Sequence, residues 1–182
     1  MDLLRDPAVQ LLLHGFFAVL FARSAVHKWR DPAAFQAALD AYEMLPRGVT
    51  RGVSLGFAGV ESALALGLLV PGMGPWPALV GAGLLILYTG AMAVAWLRGL
   101  REIDCGCGPP GAGRPIGPDL MLRNAVLAGA LIAAAAPAAV RPLGFVDGVS
   151  ALAAGFALVA LQEAIESGLR QLRSMRAWRR PV

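Results

Sequence analysis

Residues 76–97 read WPALVGAGLLILYTGAMAVAWL, and this stretch decides the fold. It carries no charged side chain, and it does not alternate apolar with polar residues as a barrel strand would. Trp76 and Trp96 stand twenty residues apart. At a helical rise of 1.5 Å per residue they lie ~30 Å apart, the thickness of a bilayer's hydrocarbon core. Both rings then fall in the aromatic belts at the two membrane faces.

The remaining sequence repeats the pattern. Hydrophobic residues make up 57% of the 182 and charged residues only 15%, more apolar surface than a soluble domain of this length can bury. Mean hydropathy is +0.62. Apolar runs recur at about 8–27, 53–70, 119–136 and 148–165, the last with the least margin. The expected fold class is all-α. It is a polytopic membrane helix bundle of four to five transmembrane helices plus a short interfacial helix, one integral membrane domain over 1–182. The interfacial helix is expected after Asp31-Pro32, an N-cap followed by proline at the first helical position. Phe35, Leu39 and Tyr42 give it an apolar stripe, and Pro46 ends it. No cleavable leader is expected, because two aspartates precede the first run and no small-residue cleavage site follows it.

Net charge is +4. The basic residues flank apolar spans, so the bilayer is the expected partner and nucleic acid is not. Lys28, Arg30, Arg47 and Arg51 follow the first run; Arg98, Arg101, Arg114 and Arg123 surround a loop after the third. Arg170, Arg173, Arg176, Arg179 and Arg180 mark a basic tail, 166–182, suited to anionic lipid. Only Arg5 and Arg141 fall on the opposite side. With five spans this distribution puts the tail in the cytoplasm, and the loop after the third run with it. In either orientation, two spans separate that loop from the connection after the first run, so the two share a membrane face.

The loop contains IDCGCGPP, residues 103–110, with the only two cysteines of the chain, Cys105 and Cys107. Cysteines two apart reach disulfide geometry only across a bend, which Gly106 permits. Such a small ring is strained, and strained, exposed disulfides are the labile ones. Three readings are open from the residues: an exchanging redox pair, a soft-metal clip, or two small residues in a turn. Zinc needs four ligands, and this face offers only Cys105, Cys107, His27 and Asp104. Two thiolates alone suit a soft ion such as Cu(I).

Ionisable residues inside apolar runs are costly and need partners. Glu61 lies in the middle of the second run, and Arg23 and His27 lie one turn apart in the first. Arg23 is the expected partner of Glu61, with Arg123 second. The group reads either as a structural ion pair or as a proton-handling site beside a quinone-like acceptor. Tyr88 and Asn124 are candidates to join the same polar network.

The stretch SAVHKWRDPAAFQAALDAYEMLP, the run carrying Glu61, DCGCG, and LMLRNAVLAGAL, in that order, resemble the methylamine utilisation protein MauE family, related to the DoxX-like membrane proteins. The resemblance covers about residues 10–165. It implies a multi-pass protein of the bacterial inner membrane that takes part in maturing methylamine dehydrogenase, whose small subunit is rich in disulfides. It implies a thioredoxin-like partner and Cys105 and Cys107 as the exchanging pair. The arrangement also looks like the quinone-linked disulfide generators of the vitamin K epoxide reductase and DsbB type. There Arg23, His27, Glu61, Arg123 and Asn124 would support proton transfer or the electron acceptor. The DsbB type has a second, shuttle cysteine pair; this chain has none, so a partner must bring it. The alternatives are a non-catalytic assembly subunit and soft-metal handling through the cysteines.

Overall fold

A computed structural model describes residues 5–46, 48–70, 72–106, 115–139, 142 and 144–178. Among them the chain is helical with no strand. Its order is α1 (Pro7–Arg30), α2 (Pro32–Ala41), α3 (Thr50–Gly67), α4 (Trp76–Leu97), α5 (Pro118–Ala134) and α6 (Phe145–Trp178).

Local chemistry sets most of the boundaries. Asp6 caps α1 by accepting from the Ala8 N–H at 2.8 Å, and Pro7 fills the first helical position. Asp31 ends α1 and caps α2 at once, its Oδ1 accepting from the Ala34 N–H at 2.9 Å. This shared residue lets α1 run on to Arg30, three residues past the expected end at His27. Pro118 opens α5, with Asp119 in the first turn where the helix dipole favours an anion. The helix α6 begins at Phe145, ahead of Asp147, whose Oδ2 reaches back to accept from the Gly144 N–H at 2.8 Å.

Among the described residues, three helices are long and apolar enough to cross a membrane: α1, α4 and the Phe145–Gln162 part of α6. The helices α3 and α5 are shorter, at 18 and 17 residues, and carry charges within them. The protein is therefore a membrane-embedded helix bundle with three candidate spans by length and composition.

Helix α1 is the hub, packed against α3, α5 and α6, while α4 lies against α5 and α3. Phe17, Phe21, Leu64, Ala78, Leu85 and Leu131 fill the core between them. At one crossing a Cβ on Gly81 would lie 2.9 Å from the Phe21 ring and 3.3 Å from Leu131, so only glycine lets α4 approach this closely. Val80, Ile86, Leu87, Val126 and Phe156 point outward, as apolar residues facing lipid do. A second, smaller core gathers Tyr42, Met92, Ala95, Cys105, Ile116 and Leu120 at the end of the bundle that carries the cysteine loop.

Candidate functional site

The cysteine loop is pinched at its base. The Ile116 N–H donates to the Ile103 carbonyl at 3.0 Å, and Asp104 and Pro115 form an antiparallel bridge. Inside the pinch the Gly106 N–H donates to Asp104 Oδ1 at 3.2 Å. Gly106 has φ of 72°, in the left-handed region. A Cβ there would lie 3.1 Å from the Phe35 ring and 3.3 Å from Ala38. Both backbone conformation and the contact with α2 thus call for glycine between the two cysteines.

Cys105 is buried, and the Tyr42 hydroxyl donates to its carbonyl at 3.4 Å. Cys107 lies outside the described residues, as do Arg47 and Arg114 of the charged segments. Arg98 fastens the far end of α2, its guanidinium donating to the Tyr42 and Glu43 carbonyls at 3.2 and 3.3 Å. Arg101 stacks 4.7 Å above the Trp96 ring.

One turn deeper, Glu61 of α3 is buried among four donor contacts. Lys28 Nζ donates to Oε1 and Oε2, each at 2.7 Å; the Ser24 hydroxyl and the Tyr88 hydroxyl donate to Oε1 at 3.0 and 2.8 Å. Lys28 also donates to Ser24 Oγ at 2.7 Å, so all three of its protons are engaged. Its ammonium lies 4.6 Å from the Phe35 ring centroid and 5.5 Å from that of Tyr88. The network ties α1, α3 and α4 together beneath α2. Burying two opposite charges is tolerable only with this degree of hydrogen bonding.

The ion pair at Glu61 corrects the expectation of Arg23. At 3.6 residues per turn, Arg23 and Lys28 point about 140° apart on α1. Arg23 faces the exposed surface, whereas Ser24 and Lys28, at i and i+4, share the face toward α3. Lys28 was missed because it follows the expected end of the first span. The signal was present in the Ser24–Lys28 spacing, once α1 is extended to its shared cap at Asp31. Of the second expected partner, Arg123 is half-buried on α5, next to the buried Asn124. Tyr88 does join the network; no bond from Asn124 to it defines the site.

A cleft of about 330 Å3 opens between these two centres. His27, Lys28 and Asp31 line one side; Phe35 and four alanines of α2 line another; Asp104 and Gly106 of the cysteine loop close it. The end of α1 and the cysteine loop thus meet across a single cavity. Among the described residues no three His, Cys, Asp or Glu side chains converge in a metal-binding arrangement.

A helical membrane bundle, with a buried ion pair under a glycine-hinged cysteine loop, is the class these features define. The sequence profile of methylamine utilisation protein MauE matches residues 6–139. Proteins called methylamine utilization protein MauE are similar over most of the length. That of Paracoccus denitrificans is 36% identical across 92% of this chain and 92% of its own. That of Paracoccus versutus is 37% identical across 88% and 87%, and that of Methylophilus methylotrophus 31% identical across 86% and 84%. The chain belongs to the MauE family. No solved structure matches it.

Proposed function

We propose that this protein is an inner-membrane accessory protein for methylamine utilisation that exchanges disulfides through Cys105 and Cys107, supporting the maturation of methylamine dehydrogenase or a related redox enzyme. The observation that carries the reading is Gly106. Its left-handed φ bends the chain just after Cys105, and a Cys-x-Cys disulfide would need a bend at this position. Its contact with α2 fixes that bend beside a charged cleft. Family membership and the relatives' names supply the pathway.

In the exchange, a partner thiolate attacks one sulfur of the Cys105–Cys107 disulfide. A mixed disulfide forms, the ring S–S bond breaks, and the second sulfur leaves as a thiolate. The partner's second thiol then displaces the mixed disulfide, leaving the partner oxidised and the pair reduced. Burial of Cys105 limits a partner's access to its sulfur. The partner in this reading is thioredoxin-like. Five crossings, adding α3 and α5 to the three apolar helices, complete the bundle, with the basic tail on anionic lipid.

The cleft does not suit a quinone headgroup. Two carboxylates stand in its wall, and the three protons of Lys28 are spent on Glu61 and Ser24. No step is therefore derived through a quinone.

The test is complementation. In a bacterium lacking its own copy, the wild-type chain is expected to restore disulfide-bonded, active methylamine dehydrogenase, and Cys105→Ser or Cys107→Ser to fail while accumulating normally. Full maturation with both cysteines replaced would leave the assembly-subunit reading in its place, which the buried Lys28–Glu61 network, a structural tie between three helices, also fits.

A further inference from the structure

The cleft between α1, α2 and the cysteine loop carries an excess of negative charge. Lys28 lines it, but Glu61 behind it neutralises the ammonium. With histidine counted neutral, Asp31 at the α1–α2 junction and Asp104 on the loop are left over. Both are half-buried, and among the described residues neither forms a salt bridge. The C-terminal end of α1, a helix of 24 residues, opens at the same place and adds negative partial charge. The opposing positive end of α2 is met by its own cap at Asp31.

Backbone bonds hold the two carboxylates in place. Asp31 Oδ1 accepts from the Ala34 N–H at 2.9 Å, and Asp104 Oδ1 accepts from the Gly106 N–H at 3.2 Å. Among the described residues no donor reaches either Oδ2, so each group offers one oxygen to a ligand. A guanidinium fork takes both oxygens of one carboxylate, whereas an ammonium sends separate protons to separate oxygens. The donor set therefore selects a primary ammonium. A bare metal ion does not fit, since no three His, Cys, Asp or Glu side chains converge among the described residues.

The rest of the wall indicates what the ammonium is attached to. Phe35 and four alanines of α2 make an apolar floor, in a cleft of about 330 Å3 at the low end of small-ligand sites. Methylammonium would leave that floor bare. A four-carbon stem covers it, in the way lysine lays its methylenes on apolar surface and keeps its charged head among polar groups.

We propose that the cleft is a docking site for a lysine side chain of a partner protein, the stem lying on the α2 alanines and the ammonium bridging Asp31 and Asp104. The charge excess and the apolar floor together match that one side chain. The inference needs no sulfur chemistry and stands apart from the exchange reading.

The test is methyl NMR on the full chain in lipid nanodiscs, with isotope-labelled alanine methyls. Both cysteines are kept reduced, so the outcome is independent of exchange. The probe is an acetylated, amidated Gly-Gly-Lys-Gly-Gly peptide. Its controls are the same peptide with norleucine for lysine, and n-pentylamine. The lysine peptide is expected to shift the methyls of Ala34, Ala37, Ala38 and Ala41 saturably, and the norleucine peptide to leave them in place. Asp31→Asn and Asp104→Asn keep the Oδ1 bonds to backbone, and each is expected to weaken the lysine peptide about tenfold, the scale of one hydrogen bond to a charged group. Ala37→Leu, which fills the floor, is expected to weaken it at least as much. Equal shifts from the lysine and norleucine peptides, or unchanged affinity in both Asn variants, would overturn the ammonium site. Saturable shifts from n-pentylamine with none from the lysine peptide would overturn the protein partner in favour of a free amine. Alanine methyls that move with no probe would overturn the proposal outright.

Discussion

Lys28 Nζ lies 2.7 Å from both carboxylate oxygens of Glu61, and both side chains are almost completely buried. The lysine comes from the last turn of α1 and the glutamate from the middle of α3. Ser24 and Tyr88 complete the glutamate's shell, so the pair joins three helices at one point.

Removing one partner strands the other charge. Lys28→Met or Glu61→Leu alone is expected to cost about 3–5 kcal/mol, the usual penalty for breaking a buried pair. The double variant Lys28→Met with Glu61→Leu removes both charges and is expected to recover much of that loss. Thermal denaturation in detergent, following the monodisperse fraction, checks the cycle. Additive losses in the double variant would mean that the two side chains do not interact.

Gly106→Ala is expected to destabilise the cysteine loop by about 1–2 kcal/mol, since L-residues pay that amount in the left-handed region. The new Cβ also meets the Phe35 ring at 3.1 Å. Adding Phe35→Ala relieves the contact but not the backbone cost, so it does not rescue. Hydrogen exchange at the loop and at α2 distinguishes the two contributions.

Cys105 sits in the small core under Tyr42. In a Cys107→Ser background, alkylation of Cys105 is expected to be slow and to accelerate tenfold or more in Tyr42→Ala. A rate in the parent equal to that of an exposed thiol would contradict the burial. The readout is the time course of the alkylated mass.

Gly81→Ala tests the α1–α4–α5 crossing. Its Cβ would fall 2.9 Å from the Phe21 ring and 3.3 Å from Leu131, and overpacking of this kind costs about 1–3 kcal/mol. The pairing with Phe21→Leu, which shortens the obstructing side chain, is expected to restore part of the loss. Detergent thermal shift measures both.

Much of the bundle was legible because membrane helices announce themselves by composition. The α4 boundaries at Trp76 and Leu97 follow from two interfacial tryptophans around an uncharged run. The start of α2 was legible from Asp31-Pro32, whose cap chemistry is local. The partner of Glu61 was not, because it depends on whether α1 stops at His27 or continues for one more turn. A charge at a membrane boundary reads equally well as loop or helix, and only the shared cap at Asp31 decides between them. The cleft was legible only as a shared face. That α2 presses Phe35 against Gly106 is a tertiary fact, carried by side chains far apart in sequence.

The most direct measurement is the mass of the peptide spanning Cys105 and Cys107, isolated from membranes under non-reducing conditions with free thiols blocked at lysis. The expected peptide is two hydrogens lighter than its reduced form and takes up two alkyl groups only after reduction. A peptide that carries two alkyl groups from the outset would contradict thiol exchange at this loop.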